Sequence, residues 1–190
     1  MKIYFTASLT GRQTLDGNYR GIVSELRKLG YKVFAEHIIA DNAIQVAVSQ
    51  TKEEGKKFYR KMHDWVIGSD LVVAEISYPS VSVGHEISFA LELGKSVLVL
   101  CMPGRKSLLL EASDDKKLMM VEYTLENLAE VLPKAVEEAK KNMDVRFNFF
   151  VSPRILGYLD WVAEKKRTPR SVFLRQLIEK EMRKDKTYIV

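Results

Sequence analysis

The segment LVVAEISYPSVSVGHEISFALELGKSVLVLC, Leu71 to Cys101, constrains the fold more than any other part of the chain. It opens and closes on apolar runs rich in Val and Leu, which read as strands buried on both faces. Between them a Pro-Ser-Val-Ser-Val-Gly loop leads into an apolar stretch of helical length, Val83 to Leu93, so strand, helix and strand follow one another. That order is a βαβ crossover, the connection that parallel strands require. The loop delivers one carboxylate, Glu86, to the first turn of the helix. There it could be a nucleophile, a neighbour of a phosphate site, or only a charge that favours the helix dipole, the last worth under ~1 kcal/mol.

The alternation continues on both sides. Strands are predicted at Lys2 to Thr6, Tyr31 to Ala35, Leu71 to Ile76, Ser96 to Cys101 and near Leu118 to Tyr123. Helices are predicted over Asn18 to Leu29, around Lys52 to Ile67, over Val83 to Leu93 and from Leu125 to about Lys141. In the first of these Ile22, Val23, Leu26 and Leu29 share a face, and Gly30 marks the end. The polar stretch before Lys52 has no clear strand, and Pro103 to Asp115 reads as loop. The expected fold class is therefore α/β, a five-stranded doubly wound parallel sheet of Rossmann or flavodoxin-like type. Ligands of such sheets gather beyond the carboxyl ends of the strands, where Thr6 to Arg12, Glu36-His37, Ser77 to Gly84 and Pro103 to Ser107 fall.

A chain of 190 residues, 46% hydrophobic, can hold one such domain and a small appendage. The amino terminus MKIYFTASLTG reads as a strand running into a loop rather than a charged-then-apolar leader, and no apolar run approaches the ~18 residues of a membrane span. A cytoplasmic location with no membrane partner is the expectation. Cys101 is the only cysteine and falls in an apolar strand, which leaves neither a disulfide framework nor a Cys-based metal site; no metal or cofactor is expected. Charge separates the two parts of the chain. Residues 144–190 hold eleven Lys/Arg against six Asp/Glu, so the whole net charge of +5 lies there and residues 1–143 are balanced. Such a segment suits a polyanion, although a solvated basic helix surface is the commoner reason for a charge cluster.

The loop Pro79 to Gly84 is suited to an anion. Its small residues let backbone N–H groups converge, Ser80 and Ser82 add hydroxyls, and the following helix adds its positive end. Tyr4 on the first strand, Ser8 in the loop after it and His37 after the second strand should converge on the same crevice as Glu86. With IYFTASLTG, the Glu36-His37 pair and SDLVVAEISYPSVSVGHE in this order, the first ~140 residues resemble the nucleoside 2-deoxyribosyltransferase superfamily, most closely its 2'-deoxynucleoside 5'-phosphate N-hydrolase branch. The resemblance implies an enzyme, a hydrolase or transferase acting on the N-glycosidic bond of a nucleoside 5'-monophosphate. It implies Glu86 as the nucleophile that captures the sugar, Tyr4 as the group that orients it, and Ser8 and Ser80 as holders of the 5'-phosphate, to which the anion-suited loop adds Ser82 and Gly84 as candidate contacts, and His37 as a further one. Ser107 matches a phosphate-binding serine donated by the partner of a homodimer. Thr10 stands where the hydrolases place a phosphate-binding arginine, with Arg12 as a candidate substitute. The family's usual acid, an aspartate eight residues before the one opening the third strand, falls here on Met62. Asp64 lies ~200° around the helix from that position, whereas Tyr59 and Trp65 share its face. A local shift that brings Asp64 in, or His37 or His63 as proton donor, would supply the acid, and a pocket that binds nucleotides with little turnover remains as the alternative.

Beyond Asn142, RFNFFVSPRILGYLDWVAEKKRTPRSVFLRQLIEKEM resembles a ribbon-helix-helix DNA-binding module, so two domains are expected, 1–141 and 144–184. Arg146 to Val151 should be a strand with Phe147, Phe149 and Val151 on one face and Arg146, Asn148 and Phe150 outward. In the first of the two following helices Ile155, Leu159, Val162 and Ala163 should be inward. The second should be capped by Thr168 with Pro169 at its first position, burying Phe173, Leu174, Leu177 and Ile178. One strand and two short helices close no core alone, so a homodimer is expected. The resemblance makes Arg146, Asn148 and Phe150 candidate DNA contacts of a nucleotide-sensing regulator; a clasp that never meets DNA is the other reading.

Overall fold

The computed structural model describes residues 1–49, 51–141, 143, 149–185 and 187. The chain forms two compact units, Met1–Asp144 and Val145–Val190. In the first, β1 (Lys2–Ala7), α1 (Arg12–Lys28), β2 (Lys32–Phe34), α2 (Glu36–Ile39), α3 (Ala43–Val48), α4 (Lys52–Gly68), β3 (Leu71–Glu75), α5 (Val81–Glu92), β4 (Ser96–Cys101), α6 (Leu108–Glu111), β5 (Leu118–Glu122) and α7 (Leu128–Lys141) follow in order. The strands form one parallel sheet in the order β2-β1-β3-β4-β5. The chain leaves β1 toward β2 and returns to β3 on the other side, so the topological switch point lies between β1 and β3.

Side-chain alternation assigns each strand residue to one of two layers. Ile3, Phe5, Leu71, Val73, Leu98 and Leu100 pack with Tyr19, Ile22, Leu26, Leu132 and Val136 of α1 and α7. Tyr4, Val72, Ala74, Val97 and Val99 pack with Met62, Val66, Val83, Ile87 and Ala90 of α4 and α5. Both faces of the central strands are thus dry, which explains their unbroken apolar character. The five-stranded parallel sheet expected from the sequence is present.

The differences are local. α1 begins at Arg12, six residues before the expected start, because a separate first turn joins it through a kink at Leu15 (φ −118°, ψ 15°). That turn has no apolar stripe, and periodicity alone misses it. The polar stretch after β2 holds the short helices α2 and α3, and Ser107 accepts a hydrogen bond from the Leu110 N–H (3.4 Å) to start α6 inside the expected loop. α4 starts on a capping box between Thr51 and Glu54. No helix of the described residues is long and apolar enough to cross a membrane.

The second unit contains α8 (Pro153–Lys166) and α9 (Arg170–Met182). Arg146, Phe147 and Asn148 of the expected strand lie outside the described residues. Phe149, Phe150 and Val151 belong to neither strand nor helix, and Phe150 is fully exposed. A strand needs a hydrogen-bonded partner, and the described residues of this unit offer none. Leu159, Val162 and Phe173 are buried, with Leu174 packed against them. Ile155, Leu177 and Ile178, expected inward, are about half exposed, since two helices in contact can cover only one stripe of each other. α9 starts one residue later than expected. Pro169 is its N-cap, and the Thr168 hydroxyl donates backward to the Lys166 carbonyl (3.1 Å) instead of accepting from α9.

Candidate active site

Tyr4 lies in the middle of β1 on the layer facing α4 and α5, and Glu86 lies one turn into α5 on the side that meets it. The Tyr4 hydroxyl donates to Glu86 Oε2 (2.9 Å) and lies 3.1 Å from His37 Nε2. A phenol has one proton. Given to the carboxylate, it leaves the Tyr4 oxygen to accept from His37 Nε2–H, so the His37 tautomer follows. His37 Nδ1 is then a buried lone pair without a hydrogen-bond partner among the described residues.

Glu86 is only 7% exposed. Burial pushes its carboxyl above the ordinary range, against the hydrogen bonds of Thr6 and Tyr4, which favour the ionised form. Burial and the neighbouring Glu86 together push the Tyr4 phenol far above any physiological pH. Burial lowers His37 to about 4, so this imidazole is neutral at pH 7 and holds no cationic proton for a leaving group. The ring stacks on Tyr4 (centroids 5.2 Å apart) and on Trp65 (5.0 Å), and Phe58 closes the aromatic wall at 5.9 Å.

α4 presents Met62 to this region, buried among Tyr4, Val66 and Val83, while Asp64 points to solvent as the helical arithmetic requires. Trp65 shares the Met62 side. Tyr59 does not, and its ring packs on His63 (4.2 Å) and nears His85 (6.0 Å). His63 stacks on Phe89 at 3.8 Å, in place of the surface position expected of it, and burial lowers its pKa. It is engaged between α4 and α5, away from the Tyr4–Glu86–His37 chain.

The predicted phosphate residues divide into two sets. Ser80, Gly84 and Ser107 line a cavity of about 570 Å³ with Tyr78, Pro79 and Arg105. Ser80 and Ser107 are also helix N-caps, accepting from Val83 N–H and Leu110 N–H at 3.4 Å each. Ser82 is exposed on the first turn of α5. The other set comes from the loop after β1. Ser8 is buried and accepts from Gly11 N–H (3.1 Å), and Thr10 is exposed. Arg12 is committed elsewhere: its guanidinium donates to Asp16 (2.5 Å), to the Ile39 carbonyl (3.2 Å) and to the Ala40 carbonyl, tying α1 to the end of α2. Buried and with each of its three nitrogens already donating, it is a structural cation rather than a replacement phosphate ligand. The cations that do line the cavity are Arg105 and Lys106, the latter 3.5 Å from Glu111 and 3.8 Å from Glu122; Arg105 stands two residues after Pro103 and just past Gly104, whose φ of +72° turns the chain beyond β4. Sequence reasoning passed over it, although its place at a strand end was the available signal. Arg146, Asn148 and Phe150 belong to the second unit; the first two lie outside the described residues.

A buried carboxylate that accepts a tyrosine hydroxyl beneath an aromatic wall can stabilise and capture a cationic sugar carbon; the cavity lined by Ser80, Ser107 and Arg105 is a separate feature, with neither Glu86, Tyr4 nor His37 in its lining. The family model described as nucleoside 2-deoxyribosyltransferase matches residues 3–146. The chain is 31% identical over 139 residues to the 5-hydroxymethyl-dUMP N-hydrolase of Mus musculus, covering 71% of this chain and 79% of that protein. It is 31% identical over 150 residues to the Danio rerio protein of the same name, covering 75% of this chain and all of that one. The fold is shared with the CMP N-glycosidase of Clostridium botulinum, at a TM-score of 0.50 and 16% identity over 70% of this chain and 98% of that structure.

Proposed function

From a chain that belongs to the nucleoside 2-deoxyribosyltransferase family, we propose an enzyme that hydrolyses the N-glycosidic bond of a nucleoside 5'-monophosphate, with Glu86 as nucleophile. The observation that carries this reading is the buried Glu86 carboxylate accepting the Tyr4 hydroxyl at 2.9 Å, at the switch point of a sheet whose strand-end loops hold hydroxyls and Arg105. The names of the relatives, N-hydrolases of 5-hydroxymethyl-dUMP, support a monophosphate substrate.

In the proposed sequence Glu86 attacks the anomeric carbon as the C–N bond breaks, and the electron pair leaves with the base. Water then cleaves the glycosyl ester and regenerates the carboxylate. Tyr4 holds the attacking oxygen in place, and neutral His37 holds Tyr4. Met62 offers the departing base no proton, so release of the base depends on water or on a base that leaves as a stabilised anion, and turnover is slow for this reaction class. A second copy of the chain is proposed to cover Val81, Leu108 and Leu109, large apolar side chains exposed beside the cavity that Ser107 lines.

The test is incubation with a panel of deoxynucleoside and ribonucleoside 5'-monophosphates, followed by chromatography for free base. Glu86→Gln should abolish release and spare binding. Release that persists in that variant would remove Glu86 from the mechanism. The regulator reading is favoured by one observation, the confinement of the +5 charge to residues 144–190. It requires a salt-sensitive DNA mobility shift by the intact chain together with no base release.

A further inference from the structure

Glu75 is completely buried at the carboxyl end of β3, on the opposite face of the sheet from Glu86. No step of the proposed reaction uses it. Its Oε1 accepts from the Ser77 backbone N–H (3.2 Å), from the Ser77 hydroxyl and from the Tyr123 hydroxyl (3.3 Å), which is itself met by Asn18 Nδ2 at 3.2 Å. The Ser77 oxygen in turn accepts from the Met102 N–H (2.8 Å), the first residue beyond β4. One carboxyl group therefore ties the chain leaving β3 to the chain leaving β4.

The loop after β1 joins the same arrangement by packing. A Cβ on Gly11 would sit 2.6 Å from the Tyr19 hydroxyl and 2.4 Å from Tyr78 Cβ, so the backbone there rests against both. The groups facing Glu75 are Tyr19 from α1, Tyr123 beyond β5, Ser77 of its own loop and, on β4, the Cys101 thiol. Glu75 Oε2 and the Tyr19 hydroxyl are each buried without a partner at hydrogen-bonding geometry. One proton shared between the Tyr19 oxygen and Glu75 Oε2 relieves both, whether the phenol donates it to the carboxylate or the protonated acid donates it to the phenol. Burial does raise the Glu75 carboxyl above its ordinary range.

These loops carry the candidate phosphate contacts. Tyr78, Pro79 and Arg105 line the cavity that holds Ser80 and Ser107, and with Ser77 and Met102 they line a second one of about 560 Å³ beside it. We propose that Glu75 is a positioning residue for phosphate recognition: through Ser77 and Tyr123 it sets the spacing of the loops after β3 and β4, and so governs binding of the 5'-phosphate rather than attack by Glu86. This rests on the functional reading above.

The test compares wild type with Glu75→Ala, Glu75→Gln and Ser77→Ala. It measures kcat and KM for a 5'-monophosphate and for the matching unphosphorylated nucleoside, and amide exchange over residues 76–80 and 102–107. Glu75→Ala should raise KM for the monophosphate by on the order of 10- to 100-fold through loop misplacement, with kcat and the nucleoside little affected and exchange faster in both loops. Ser77→Ala should act in the same direction, and Glu75→Gln, which keeps an acceptor and adds a donor toward Tyr19, should restore near wild-type values. Equal losses for nucleoside and monophosphate, a loss confined to kcat, or no change overturns the proposal. If wild type releases no base, the functional reading fails by itself. Loop exchange then decides the role of Glu75, and exchange unchanged from wild type overturns it. If Glu75→Ala does not fold, Ser77→Ala carries the same expected and overturning results.

Discussion

Replacing Tyr4 by Phe removes one oxygen from the centre of the site and should move the acid limb of the pH profile upward. In the wild type that oxygen donates to Glu86 Oε2 at 2.9 Å and lies 3.1 Å from His37 Nε2. Its loss leaves Glu86, 7% exposed, with little besides Thr6 to stabilise its charge, and leaves His37 Nε2–H without its acceptor. A hydrogen bond to a charged group is worth ~1.5–3 kcal/mol. At ~1.4 kcal/mol per pH unit, ionisation of Glu86 should shift upward by ~1–2 units, since the lost bond favoured the charged form. The assay is kcat/KM for base release between pH 4 and 9, because that ratio follows the free enzyme's ionisations. Tyr4 itself does not titrate in this range, its phenol being held far above it. The expected result is an acid limb displaced upward with the plateau partly recovered above it. An acid limb that stays in place while kcat falls evenly at every pH would refute the reasoning, because Tyr4 would then act on something other than the charge of Glu86.

Met62→Asp should accelerate base release by ~100-fold if it supplies a general acid, and should lower the melting temperature because it buries a carboxyl in an apolar cluster; unchanged release would mean that another group already protonates the base. His37 is held at about 4 against 6.5 for the free side chain, so the fold favours its neutral form. The stability this represents, roughly 3 kcal/mol, is present above pH 6.5 and lost as pH falls toward 4. His37→Gln should therefore lose less stability than wild type between urea melts at pH 7.5 and pH 4.5, and equal losses would contradict the assignment. Glu75 and Glu86 have the opposite slope, since raised carboxyls stabilise the fold below the ordinary carboxylate range and cease to as pH rises through their folded values. Sedimentation should find the intact chain dimeric, and a monomer at micromolar concentration would contradict the second copy proposed over Leu108 and Leu109.

The sequence by itself determined the strands, the order of the longer helices and strands, and the delivery of Glu86 to the start of the helix after β3, although α5 begins at Val81, two residues earlier than expected, so that Glu86 lies in its second turn rather than its first. Each of these depends on properties carried by neighbouring residues: apolar periodicity, turn composition and helix start signals. Helical rotation, a local constant, also pointed Asp64 away from the Met62 side, and the structure leaves Asp64 exposed with no local shift to bring it in. The tertiary structure decided what the polar side chains do. Arg12 stands at a strand end where it could meet a phosphate, yet Asp16 and the carbonyls of Ile39 and Ala40, up to 28 residues away, take its donors. Glu75 is one residue from the face that bears Tyr4 and Glu86, and the alternation of β3 sends it to the other layer, where Tyr19 and Tyr123 enclose it. His63, polar in a polar stretch, is covered by Phe89 from α5. A buried polar group is satisfied by whichever partners the packing brings within about 3 Å. Asp16 is an i,i+4 neighbour of Arg12, but the Ile39 and Ala40 carbonyls, Tyr123 and Phe89 come from elements far along the chain from the groups they meet, and no local pattern encodes them.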